Sequence, residues 1–208
     1  MGKNFQICSK FYQDYCPDAF KLRRNVNLSK VSDESLLVLL LLQAELGIRS
    51  QRHFYRICQL FPCGRLLERS RFNRRARQLI WLVQVIRQAM TAHISSDAIV
   101  IIDSFPLPLC QSVRNYRTRI FNGLADIGYN ASKHLWFYGF KVHMLVTLSG
   151  YILNYVVTPA SVHDIRAVDD LLENGRQAYV LADLGYLSRD LKDYLGQKGY
   201  HLWTPLRQ

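Results

Sequence analysis

Acidic residues are scarce: the 208-residue chain carries 16 Asp and Glu against 27 Lys and Arg, a formal charge of +11. The deficit favours a polyanionic partner, the alternative being a merely basic soluble protein. It is also uneven. Residues 1–96 hold 16 Lys and Arg against 6 Asp and Glu, whereas residues 97–208 hold 11 against 10, so nearly all the excess lies in the first half. Cysteine is sparse and unpatterned. Cys8, Cys16, Cys58, Cys63 and Cys110 form an odd set without C-x-x-C spacing, which excludes a zinc ribbon and a disulfide framework and implies reduced thiols in a cytoplasmic protein. The opening sequence MGKNFQICSKFYQDY lacks the apolar core of a signal peptide, and Gln6 breaks the myristoylation pattern. The longest apolar run, residues 36–42, is seven residues long, far short of the ~20 that span a bilayer; no membrane partner is expected. With 49% hydrophobic residues and no repeat or low-complexity tract, the chain can fold as one domain with an appendage or as two small domains.

The first half reads as helical. In VSDESLLVLLLLQAELG (31–47), Ser32, Asp33 and Glu34 supply a helix start and Gly47 a stop. A second helix follows in QRHFYRICQLF (51–61), with Phe54, Ile57 and Phe61 on one face and Arg52 and Arg56 on another. Two helices joined by a short turn, the second with a basic face, outline a helix-turn-helix. Beyond it, Arg65, Arg69, Arg71, Arg74, Arg75 and Arg77 crowd one stretch with Glu68 as the sole acid. Six guanidinium groups so close need counter-charge, which DNA phosphates supply. The alternative is a solvated helix face. In both readings Leu79, Trp81, Leu82, Val85 and Ile86 point to a core.

After Ser95 and Ser96 the period changes. AIVIID (98–103) is a short strand, FYGFKVHMLVTLSGYILNYVVTP (137–159) reads as two strands joined at Leu148-Ser149-Gly150, and SVHDIRAVDDLLENG (161–175) as a helix. AYVLAD (178–183) is a further strand, LSRDLKDYLGQKG (187–199) a helix and HLWTPL (201–206) a last strand. The order β, β, β, α, β, α, β predicts an α/β fold, a mixed sheet with crossover helices whose site lies beyond the carboxyl ends of its parallel strands. Residues 1–96 are the expected helical, basic, DNA-binding region and residues 97–208 the expected α/β domain.

Two strands end alike, AIVIID at Asp103 and AYVLAD at Asp183. Taken singly, each Asp suits a turn or cap. On paired parallel strands the two carboxylates emerge side by side, raising each other's pKa unless a cation lies between them. Oxygen ligands select a hard cation, Mg²⁺ or Mn²⁺.

The runs IIDSFPLPLCQSVR (101–114), FYGFKVHMLVT (137–147), TPASVHDIRAV (158–168), ADLGY (182–186) and RSRFNRRARQL (69–79) resemble the DDE transposases of bacterial insertion sequences, in particular the insertion sequence nine-eight-two group. The resemblance implies a ribonuclease H-like catalytic domain in which two Asp and one Glu hold two divalent ions, with Asp103 as first acid and Asp183 as second. It also implies metal-dependent cleavage at the element's ends and strand transfer, with terminal repeats and target DNA as double-stranded partners, a homo-oligomer on DNA, and a cytoplasmic, nucleoid-associated location.

The family's third acid lies on a helix after the last strand, and no Glu follows Glu173 here. Asp190 and Asp193 suit a solvated helix face. The expectation is therefore a truncated or frameshifted transposase with the final catalytic helix missing and activity impaired; the alternative is a non-catalytic remnant that occupies terminal repeats or competes with the full-length enzyme. Lys141 and His143 share one strand face, lining the site or simply exposed. His163 and Asp164 suit a helix cap or the site's rim. Arg114, Arg117, Arg119 and Lys133 are candidate phosphate contacts.

Overall fold

The computed structural model describes residues 2–60, 66–92, 98–131, 133–173 and 179–205, excluding the side chains of residues 2–4, 90 and 92. Its contacts divide the chain into two compact units, Met1–Ala92 and His93–Gln208.

The first unit is helical: α1 (Gly2–Tyr15), α2 (Asp18–Lys21), α3 (Asp33–Glu45), α4 (Gln51–Leu60) and α5 (Arg69–Ala92). Ser32 caps α3, its side chain accepting the Ser35 N–H at 3.2 Å, and Asp33 and Glu34 place negative charge at the positive end of the helix dipole. Gly47, at φ +64°, ends it in a conformation that costs other residues more. Leu36, Leu37, Val38 and Leu39 are buried on α3 and meet Cys8 and Tyr12 of α1 and Phe72, Leu79 and Leu82 of α5 in one core. On α4 the buried residues are Phe54, Tyr55 and Cys58. This shifts the expected stripe: Ile57 is half-buried because Cys58 takes the inward position, and Phe61 lies outside the described residues. The Tyr55 hydroxyl is satisfied by the Leu67 carbonyl at 2.7 Å. Trp81 is not inward but 38% exposed, meeting Phe20 edge-on.

The second unit contains β1 (Ile99–Pro108), β2 (Asp126–Asn130), β3 (Leu135–Thr147), β4 (Ile152–Pro159), α6 (Val168–Leu172), β5 (Tyr179–Ala182), α7 (Arg189–Gln197) and β6 (His201–Trp203). Strand β1 pairs antiparallel with β3 on one side and parallel with β5 on the other; β4 and β2 pair antiparallel with β3, and β6 extends β5 in parallel. Four strands joined antiparallel through β3, followed by two parallel ones reached through helical crossovers, make this a ribonuclease H-like fold. One sheet face, with Val100, Ile102, Leu145, Val180 and Leu202, packs on α6, Tyr186 and α7. The other face leaves Phe105, Val157, Tyr179, Leu181 and Trp203 exposed. Gly139 lets β1 and β3 approach, since a Cβ there would fall 2.2 Å from the Leu107 carbonyl oxygen.

Four elements differ from the sequence reading. Strand β1 does not stop at Asp103 but runs to Pro108, because β3 continues to pair with it after β5 has ended. Pro106 and Pro108 are tolerated there because that stretch has lost its neighbour on one side. Strand β2 was not expected: five residues with a central Gly128 carry little β signal until the long β3 offers them an edge. The helix expected over 161–175 is a 3₁₀ turn, Asp164–Ala167, running into the short α6. The last strand is His201–Trp203, short because only β5 flanks it. Cys8, Cys16, Cys58 and Cys110 are free thiols, and among the described residues no helix is long and apolar enough to cross a membrane.

Candidate functional site

The parallel ladder between β1 and β5 ends with Ile102 opposite Ala182. One step beyond lie Asp103 and Asp183, at the carboxyl edge of two neighbouring parallel strands. Asp103 is exposed, and one carboxylate oxygen accepts its neighbour Ser104's N–H at 2.7 Å. Asp183 caps a 3₁₀ turn, Leu184–Tyr186, by accepting the Gly185 N–H at 3.0 Å. Burial raises the Asp183 carboxyl above the ordinary range, and the negative charges of Asp103 and Asp164 raise it further against the pull of the Gly185 N–H. Mutual repulsion of this kind is what a bound cation relieves.

Asp164 is the residue whose importance the sequence understated. Its Oδ1 accepts from Lys141 Nζ at 2.8 Å and Ser104 Oγ at 3.3 Å. Its Oδ2 faces Asp183 across Gly185: a Cβ on that glycine would lie 3.0 Å from Asp164 Oδ2 and 3.0 Å from Asp183 Oδ1. A missing methyl group thus leaves open the space between two carboxylates. Oxygen donors around such a cradle fit a hard divalent ion, Mg²⁺ or Mn²⁺. Among the described residues no group of three or more His, Cys, Asp or Glu side chains stands in a metal-holding cluster.

Beneath the carboxylates lies a buried polar network. His143 is fully buried, its Nε2 2.9 Å from Thr158 Oγ1 and its Nδ1 3.4 Å from the Tyr186 hydroxyl and 3.8 Å from Asp164 Oδ1. Burial depresses its basicity, while Asp164 pulls the other way and Lys141 adds to the depression. The Tyr186 phenol is pushed up by burial and by the charges of Asp164, Asp183 and Asp103. The alternative of an exposed face for Lys141 and His143 is therefore corrected: their face is the one the helices cover, and their apolar neighbours face outward. Sequence reasoning missed Ser104, Thr158, Gly185 and Tyr186. Ser104 and Tyr186 sat next to noted acids, but their convergence depends on strand register. His163 is the N-cap of the turn, its Nδ1 accepting the Ile165 N–H at 3.4 Å.

The basic residues divide sharply. Arg75 is turned inward, where it binds Asp33 and Ser29 and donates to the Val31 carbonyl at 2.6 Å. Arg23 joins it on the same carboxylate at 2.7 and 2.9 Å, and the Tyr12 hydroxyl donates at 2.9 Å. Arg75 is therefore a core counter-ion, not a DNA contact, because Asp33, distant in sequence, provides the charge its neighbours lack. Arg69, Arg71, Arg74 and Arg77 are exposed on α5, as are Arg52 and Arg56 on α4; Arg65 lies outside the described residues. Arg74 and Arg77 line a shallow groove with Ser70, Asn73 and Gln78. In the second unit Arg114, Arg117, Arg119 and Lys133 are all exposed. Their segment is stapled by buried Asn115, which donates to the Trp136 carbonyl at 2.9 Å and accepts the Tyr138 N–H at 3.1 Å.

No curated protein sequence matches the chain. Among solved structures, the piggyBac transposase of a synaptic complex with hairpin DNA is similar at a TM-score of 0.49 and 12% identity, with 97% of this chain and 50% of that one covered. The chain thus spans about half the length of that transposase. A family profile described as "Transposase DDE domain" matches residues 77–208. That stretch contains β1 and β5 and both aspartates at their shared edge, and the chain belongs to the transposase DDE domain family.

Proposed function

We propose that the chain acts in the transposition of a bacterial insertion sequence, of the nine-eight-two group, cutting DNA at the element's ends and joining them to a target. The adjacency of Asp103 and Asp183 one step past the β1–β5 ladder carries this reading. These carboxylates would hold the divalent ions, Mg²⁺ or Mn²⁺. When bound, the ions supply Lewis acidity that activates a hydroxyl for in-line attack on a phosphodiester.

The chain's own residues set the stage for that attack. Gly185 keeps the space between Asp183 and Asp164 open, and Lys141 holds Asp164 in place by its 2.8 Å bond. The His143–Thr158 and His143–Tyr186 contacts keep the floor of the site rigid without adding charge. Exposed Arg52, Arg56, Arg69 and Arg71 in one unit and Arg114, Arg117, Arg119 and Lys133 in the other bind DNA phosphates, and Arg74 and Arg77 belong to the same DNA-binding face. Double-stranded terminal repeats and target DNA are the partners, the working form is a homo-oligomer that holds two ends, and the setting is the nucleoid in the cytoplasm.

The test is Mn²⁺ binding by the full chain, followed by electron paramagnetic resonance, alongside nicking of a plasmid carrying the DNA that flanks the coding region. Asp103→Asn and Asp183→Asn are each expected to weaken Mn²⁺ binding at least about tenfold and to remove any metal-dependent nicking, with gel-shift binding retained. Mn²⁺ affinity unchanged in both variants would overturn the reading.

A further inference from the structure

We propose that α5 reads base sequence, inserting the face that bears Asn73, Arg74, Arg77 and Gln78 into a DNA major groove. The inference rests on the DNA-binding reading above and adds a role that phosphate contacts do not provide.

Helix α5 has 24 residues and not one carboxylate, yet six arginines. Its inward stripe is Phe72, Ala76, Leu79 and Leu82, all buried, with Arg75 drawn to the same side by Asp33. At 100° per residue, Asn73, Arg74, Arg77 and Gln78 fall together on the opposite side. They line one shallow groove. None of these four side chains has a hydrogen-bond or ion-pair partner among the described residues. Ser70, beside them, is engaged with Glu68. The structure thus separates one arginine committed to folding from two held free beside two free amides.

The chemistry of those heads selects the ligand. Arginine forks match the O6 and N7 acceptors of guanine, and the amides of Asn and Gln match N6 and N7 of adenine. An amide brings no charge to a phosphate and uses only its donor there, whereas an adenine edge engages its donor and its acceptor together. The dimensions agree as well. A helix about 10–12 Å across enters a major groove about 12 Å wide. From Asn73 to Gln78 the axial rise is about 7.5 Å, which corresponds to about three consecutive base pairs at 3.4 Å spacing.

The test is selection of bound duplexes from a randomised DNA library by the full chain, with sequencing of the retained pool. The wild-type chain is expected to enrich a motif containing a block of about three purine-specified positions. Asn73→Ala with Gln78→Ala is expected to flatten the adenine preference in that block by about tenfold or more, with affinity for bulk DNA changed less than about threefold because no charge is lost. Arg74→Lys with Arg77→Lys, which keeps charge and removes the fork, is expected to flatten the guanine preference with the salt dependence unchanged. A motif identical in wild type and both variants would overturn the inference, as would retention of duplexes without any motif. Failure of the wild-type chain to retain any duplex would overturn the DNA-binding reading along with it.

Discussion

Asp33→Asn removes the charge at the centre of the first unit while keeping the size of the side chain. Asp33 is 2% exposed and takes hydrogen bonds from Arg23, Arg75 and Tyr12. Burial alone would raise its carboxyl pKa, but the bonds from Arg23, Arg75 and Tyr12 outweigh it and hold the group below the ordinary carboxylate range. Neutralising it leaves two guanidinium groups beside an amide that can accept through one oxygen. Breaking a buried ion pair from one side costs about 3–5 kcal/mol. The lower end applies, since the Arg23 and Arg75 side chains keep 24% and 15% exposure. A unit of this size unfolds with about 5–14 kcal/mol in total, so about 3 kcal/mol is a large fraction, equivalent to a fall in Tm of about 12–24 °C. Trp136 and Trp203, both exposed, can be changed to Phe so that Trp81 alone reports the unit's unfolding by fluorescence. The pH dependence has a definite sign. A depressed folded pKa means that the stabilisation is complete above the unfolded value of about 3.9 and is lost as pH falls through the lower folded value. The difference between the wild-type and Asp33→Asn proteins should therefore persist at neutral pH and shrink below about pH 4. A Tm shift under about 4 °C at neutral pH, or one that grows in acid, would refute the assignment of Arg75 to the core.

The same division predicts opposite phenotypes for neighbouring arginines. Arg69→Ala with Arg71→Ala, both exposed on α5, should leave Tm nearly unchanged and reduce the log–log salt slope of DNA binding by about 1.8; an unaltered slope in a titration from low to high salt would contradict the phosphate role. Gly185→Ala places a methyl 3.0 Å from an oxygen of each of Asp164 and Asp183. It should weaken Mn²⁺ binding about tenfold or more with the circular dichroism spectrum intact; wild-type affinity in a calorimetric titration would show that a cation does not use this cradle.

Much of the second unit was legible in the sequence because its signals are local. Alternating β-branched runs mark β1, β3, β4 and β5, and the repeated strand-then-Asp ending marks Asp103 and Asp183 as a pair without any knowledge of pairing. The cap at Ser32 and the stop at Gly47 were readable for the same reason: a cap depends on residues within one turn. What neighbouring residues do not encode was missed. Strand β2 has little propensity of its own and forms on the edge that β3 supplies, and β1 outlasts its expected end because β3 keeps pairing beyond Asp103.

The sequence by itself determined the partition of the chain into a basic and a near-neutral half, the helical and stranded halves, and the two aspartates that follow similar apolar runs, since each follows from residue type and short spacing. Only the tertiary structure decided that Asp164 faces Asp183 across Gly185 and that Lys141 and His143 lie on the covered face. It also decided that Arg75 turns inward to Asp33 while Arg74 and Arg77 turn out. These are matters of register and of contacts between residues far apart in the chain, and an arginine's charge alone does not reveal whether its counter-ion is a phosphate or a carboxylate from another helix.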